Sequence, residues 1–302
     1  MISRDFQDLK QFDTIFPEAK GLFVTSNERG IKKTWRKIPL QIGPNRVHVG
    51  CSGWYNLDIM ASRETPYLIW LDIDASVRQL YEATRETIIE CADRHKFASE
   101  ISRKLKTFKM DITFRQRWIS IEQFREIDEL VQREVKKVKS WLGSDASYQH
   151  VKTAFLENRI VFLGANFTDV EKFSHIRTVL DCNHLVVDTL YISNVLDWCI
   201  DSSKSDPSNA WNLVKSVNAL VNESTSIIYS VLVDYFRQNV LINKKFCLYD
   251  LTKPLNYNAL NAAKNVSYFI EESNYKCTCG DPTHDHVPYE IPFKNFKFLG
   301  KQ

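Results

Sequence analysis

Apolar residues along this chain fall into two rhythms. Short, almost continuous apolar runs occur at Arg46 to Val49, Tyr67 to Leu71, Arg159 to Gly164, Leu185 to Ser193 and Ser226 to Val233. Runs of that length, bounded by turn residues, predict strands buried on both faces. Between them the spacing turns helical, with Val77, Leu80, Tyr81, Thr84, Ile88 and Cys91 on one face of the stretch from Ser76 to Ala92. Trp211 to Val221 reads the same way, Asn56 to Ala61 begins a helix, and Arg4 to Phe12 carries a weak helical pattern. Phe246 to Tyr249 adds a later strand. Apolar strands alternating with amphipathic helices predict an α/β fold, a Rossmann-like, mostly parallel sheet with helices on both faces.

The rhythm breaks over residues 93–158, which are highly charged and too long for an ordinary crossover. There Ile121, Phe124, Ile127, Leu130, Val131, Val135 and Val138 form one apolar stripe that runs toward Gly143. A stripe at that spacing predicts a helical insertion or cap. The expected organisation is an N-terminal extension over 1–43, a core over 44–253 interrupted by the insertion, and a C-terminal extension over 254–302.

Composition narrows this picture only a little. With 302 residues, 44% hydrophobic and 25% charged, the chain can bury one large core or a core with an attachment. No run reaches the roughly 18 apolar residues of a membrane span, and no secretory signal is visible at Met1 to Phe6. A net charge of +3 gives no strong nucleic-acid signal. Of the basic clusters, Lys136-Lys137-Lys139 alternates with acids and suits a solvated helix face, whereas Lys32-Lys33 with Arg36-Lys37 could meet an acidic substrate. Seven scattered cysteines do not form a disulfide framework, which points to a reducing, cytoplasmic setting.

Candidate chemistry concentrates after the first core strand. Of only nine glycines, Gly43, Gly50 and Gly53 fall within eleven residues. Gly50 and Gly53 stand between a strand and a helix, where backbone N–H groups can approach a ligand without side-chain obstruction. A purely structural turn would need glycine as well. Asp72 lies 22 residues after Gly50, at the end of the next strand. In doubly wound folds an acid there accepts hydrogen bonds from the two ribose hydroxyls of an adenosine cofactor. Asp74 reads as the cap of the helix that follows.

These segments resemble class I S-adenosylmethionine-dependent methyltransferases over roughly residues 44–92 and 159–235. Val47-His48-Val49-Gly50-Cys51-Ser52-Gly53 is similar to the first motif of that superfamily, and Leu71-Asp72-Ile73-Asp74 to its second-strand motif. The resemblance implies that Gly50, Ser52 and Gly53 approach the methionine half of S-adenosylmethionine and that Asp72 holds the ribose; Cys51 and Ile73 complete this part of the site. The usual G-x-G-x-G carries Ser52 in its middle position and Trp54 in its last, and His48 stands where an acid is usual. Phe162 to Asp169 resembles the adenine-contacting segment, with Asn166 in the place of the usual Asp and Phe167 beside it. Val187 to Asn194 resembles the fourth-strand motif, so Asp188, Tyr191, Ser193 and Asn194 are the candidate catalytic and acceptor-orienting groups. Ser193-Asn194 also reads as a plain helix cap.

Near the end of the chain, Cys277, Cys279, His284 and His286 place two thiols and two imidazoles within ten residues. That inventory could hold a structural zinc, but C-x-C and H-x-H are tighter than familiar zinc spacings, and the first reading of the same residues is an exposed polar loop. The expected function is S-adenosylmethionine-dependent group transfer, methyl transfer first, to an acceptor the sequence does not name. The alternatives are a catalytically silent methyltransferase-like scaffold and a NAD(P)-dependent oxidoreductase, the latter weakened by the absence of G-x-G-x-x-G.

Overall fold

Buried apolar strands joined by amphipathic helices give this chain an α/β architecture of the Rossmann-like kind, with mostly parallel strands flanked by helices. A computed structural model of the chain describes residues 6, 9–14, 21–25, 38, 40–41, 43–108, 110–114, 117–120, 123, 125–193, 195, 199, 208–222, 224–234, 237–243, 268–269 and 297–298. The chain divides into two compact units. The first comprises residues 1–27, 42–165 and 182–185, and the second residues 28–41, 166–181 and 186–302.

In the first unit, β2 (Arg46–Gly50) leads through α1 (Tyr55–Ser62) to β3 (Tyr67–Asp72), and β3 leads into α2 (Ala75–Glu90). The strands β2 and β3 are parallel, with Val47 opposite Tyr67 and Gly50 opposite Trp70. On the other side of β3 lies β6 (Ile160–Gly164), also parallel, which sets Asp72 opposite Gly164. All five residues of β2 and all five of β6 are buried, as apolar runs without alternation require.

Between α2 and β6 come α3 (Arg94–Leu105), a hairpin of β4 (Asp111–Phe114) and β5 (Arg117–Ile119), α4 (Glu126–Lys136) and α5 (Asp145–Leu156). The three helices agree with the insertion read from the sequence, but the hairpin does not. β4 is recruited by β1 (Gly21–Phe23), which pairs with it in parallel, and Ile112 faces Ile119 across the hairpin. Pairing between segments so distant in sequence leaves no mark in a local window, and tertiary context overrides the helical expectation. The proposed apolar stripe also ends early. α4 stops at Lys136, and Val138 is 87% exposed beyond it. Of the weak N-terminal helix, the described residues show helical geometry at Phe6 and a 3-10 turn at Leu9–Phe12.

The core of this unit is aromatic. Trp54, Trp70, Phe97, Trp141, Tyr148 and Phe155 are almost wholly buried. Each such side chain removes roughly 150–250 Å² from water, worth roughly 4–6 kcal/mol at 25 cal/mol per Å² before conformational entropy is subtracted. The helices α2, α3 and α5 start on side-chain caps. Asp74 accepts the Ser76 N–H at 2.8 Å and Asp93 those of His95 and Lys96.

In the second unit, α6 (Val170–Cys182) precedes β7 (Val186–Ser193), and α7 (Ser208–Leu220) precedes β8 (Ser226–Asp234). The strands β7 and β8 are parallel; β9 (Arg237–Asn243) returns antiparallel to β8 as a hairpin that the sequence reading missed. Tyr268–Phe269 (β10) and Lys297–Phe298 (β11) form an antiparallel pair. The expected strand at Phe246 to Tyr249 and the Cys277, Cys279, His284 and His286 cluster lie outside the described residues. Among the described residues no helix is long and apolar enough to cross a membrane, and no group of three or more His, Cys, Asp or Glu side chains could hold a metal ion.

Candidate functional site

The carboxyl ends of β2 and β3 meet at one peptide group. Beyond Gly50 the chain passes through Cys51, Ser52 and Gly53 before α1 begins, and Ser52 takes a left-handed backbone with φ 70°. Its N–H donates to Asp72 Oδ2 at 2.8 Å. The other carboxylate oxygen of Asp72, Oδ1, accepts the Asp74 N–H at 3.0 Å, and the Asp72 carbonyl accepts the Ala165 N–H at 3.0 Å. The bend and the acid read from the sequence are thus in direct contact, held side by side by parallel strands.

Asp72 is partly exposed but closely surrounded by protein. Desolvation pushes its carboxyl up from 3.8 to about 6, against the pull of the Ser52 and Asp74 N–H groups, and the Asp74 carboxylate adds to the rise. An ionised carboxylate has about four lone-pair positions, and the Ser52, Asp74 and Ile73 N–H groups occupy only part of that capacity. The remainder suits a hydroxyl donor such as one from a sugar diol. Ile73, the next residue, is 47% exposed and offers an apolar surface beside the carboxylate.

Three side chains to which the sequence reading gave no structural role hold the bend in place. Asn56, fully buried in the first turn of α1, directs Nδ2 at the carbonyl oxygens of Cys51 (2.8 Å), Ser52 (3.2 Å) and Gly53 (3.1 Å). Its Oδ1 lies 3.2 Å from Nε2 of His48, which is buried within β2. The Trp70 indole N–H donates to the Ser52 carbonyl. The available sequence signal was Asn56 itself, since a short amide in a first helical turn tends to bond local backbone.

Gly53 has a reason to be glycine that is independent of any ligand. A Cβ there would stand 2.2 Å from the Phe23 carbonyl oxygen and 2.3 Å from that of Val24. The Trp54 N–H donates to this same Val24 carbonyl at 2.7 Å, so the residues after β1 press directly on the bend. Cys51 is buried and in no disulfide. At the end of β6 the Gly164 N–H donates to Asp13 Oδ1 at 2.6 Å, the Gly164 carbonyl accepts the Thr14 N–H at 3.1 Å, and Asp13 is ion-paired with Arg78 of α2.

The remaining candidates lie in the second unit. Asn166 is exposed, and its Oδ1 accepts the Thr168 N–H at 3.0 Å in a local turn. Phe167 is buried against Phe173, with ring centroids 5.2 Å apart. Asp188 and Tyr191 are fully buried within β7. Ser193, at its end, is partly exposed with φ 49°, just past a register shift between Tyr191 and Ser193. Asn194 lies outside the described residues.

The family described as Domain of unknown function (DUF7790) matches residues 23–258. The chain belongs to this family. The DUF7790 match takes in the bend, Asp72, the inserted helices and β7 to β9. No curated protein matches the chain.

Proposed function

We propose that this chain binds S-adenosylmethionine at the bend formed by Gly50 to Gly53 and at Asp72, and transfers a group from it, a methyl group first, to an acceptor. The observation that carries this reading is the contact between the Ser52 N–H and the Asp72 carboxylate at the carboxyl ends of two adjacent parallel strands. In open α/β sheets that is where ligands bind. The residues fit the ribose half of such a cofactor, because Asp72 keeps acceptor capacity and Ile73 provides an exposed apolar neighbour. When bound, the cofactor supplies a sulfonium-activated carbon; the protein's own work is to hold it and keep an acceptor aligned. Cys51, Cys91, Cys182 and Cys199, none of them in a disulfide, suit a reducing, cytoplasmic setting.

A second reading, a methyltransferase-like module without turnover, is favoured by Gly53, whose identity the Phe23 and Val24 carbonyls already explain. Thermal unfolding of the full chain with S-adenosylmethionine, S-adenosylhomocysteine or NAD separates these readings from an oxidoreductase. Stabilisation should grow with either sulfur ligand, reaching about 2.7 kcal/mol at a hundred times Kd, and should be absent with NAD. Asp72→Ala should abolish the shift in a protein that remains folded. No response to either sulfur ligand overturns the cofactor assignment, and a response to NAD alone replaces it with the oxidoreductase.

A further inference from the structure

We infer that Asn56 is the positioning residue of the bend and that His48 fixes the orientation of its amide, so that the pair aims the Ser52 N–H at Asp72. The consequence for ligand binding rests on the cofactor reading above, whereas the geometry stands without it. All three partners of Asn56 Nδ2 are carbonyl oxygens, which only accept. Turning the amide over would set its oxygen against three others at 2.8 to 3.2 Å. Oδ1 must therefore face His48, and His48 Nε2 must carry the proton it donates across 3.2 Å. A carboxylate at position 48 could not make that donation, so the departure of His48 from the family-like acid and the presence of Asn56 are one arrangement.

What this holds is a backbone that would not hold itself. Ser52 at φ 70° occupies a region that side-chain-bearing residues adopt only when their surroundings insist. Asn56 grips the carbonyls on both sides of it and its own, and Trp70 adds a second donor to the Ser52 carbonyl. With these carbonyls drawn toward the protein, the Ser52 N–H is left facing Asp72. The groups that face the Asp72 carboxyl are that N–H from the bend and, from its own turn, the Ile73 and Asp74 N–H groups and the Asp74 carboxylate.

The test follows the Asp72 carboxyl by side-chain carbon NMR as a function of pH, together with the Kd for S-adenosylhomocysteine, in the full chain. In Asn56→Ala the bend should relax and withdraw the Ser52 N–H. Asp72 should then titrate about one unit higher, and Kd at pH 5, where the ionised fraction falls in the same proportion, should weaken about tenfold. His48→Gln, which places an amide N–H where the imidazole Nε2 stands, should stay within about twofold of wild type on both readouts. His48→Glu should behave like Asn56→Ala. If folded Asn56→Ala leaves the Asp72 titration unchanged, the inference fails. Should Asn56→Ala not fold, His48→Gln against His48→Glu decides, and equal titrations of Asp72 in that pair overturn the inference. If Asp72 shifts as expected while wild type binds no S-adenosylhomocysteine, the positioning role stands and the cofactor reading falls.

Discussion

Two strand ends in this molecule carry similar sequence signals and have different structures. At the end of β3, Asp72 is partly open and keeps spare acceptor capacity, and it is bonded to a bend that the Asn56 and Trp70 side chains hold in shape. Along β7, Asp188 and Tyr191 are fully buried, and of its described candidates only Ser193 reaches partial exposure, past a break in register. An acid followed by polar residues at the end of an apolar run is thus two things. At Asp72 it is a desolvated group that an incoming donor would relieve; at Asp188 it is a buried polar group satisfied within the protein. The lesson concerns β7: of its described candidates, Ser193 alone is open enough to meet an acceptor.

The comparison can be broken by substitution. The largest effect is expected at Gly53, where alanine forces a Cβ into two backbone carbonyls that cannot swing aside. Gly53→Ala should destabilise the chain by about 3 kcal/mol or more in urea unfolding. A neutral result would mean that the residues after β1 do not press on the bend. Asp188→Asn comes next and should lose about 1–3 kcal/mol by upsetting a buried polar arrangement. Asp72→Asn should lose less at pH 7, because ionised Asp72 is itself unfavourable there. Its folded pKa, about 6, lies above the ordinary 3.8. The folded protein therefore holds more protons between those values, and stability falls as pH rises through that window. If Asp188→Asn proves neutral and Asp72→Asn costly, the assignment of the two strand ends is reversed.

Much of this was legible in the sequence, for identifiable reasons. Strands buried on both faces write themselves as unbroken apolar runs, so β2, β3, β6, β7 and β8 were placed to within a residue or two. Asp74 was readable as a cap because a cap is a local arrangement. The bend and Asp72 were readable because strand order brings them together without reference to the rest of the chain. The missed features depend on distant partners: β4 needs β1, Gly53 needs Phe23 and Val24, and Gly164 needs Asp13. His48 looked like a departure from a motif, and only its bond to Asn56 gives it a function. The burial of Asp188 and Tyr191 was within reach, since unbroken apolar neighbours on β7 already implied a strand covered on both faces.

The central claim is that Asp72, once ionised, grips the sugar of an adenosine ligand beside the bend. Calorimetric titration of the full chain with S-adenosylhomocysteine at pH 5 and pH 7 tests it most directly. With a carboxyl near 6 in the free protein, affinity should rise about tenfold between the two pH values. Asp72→Asn should bind more weakly and lose that dependence. Wild-type affinity that is flat from pH 5 to pH 7, or a pH dependence that survives in Asp72→Asn, would contradict the account.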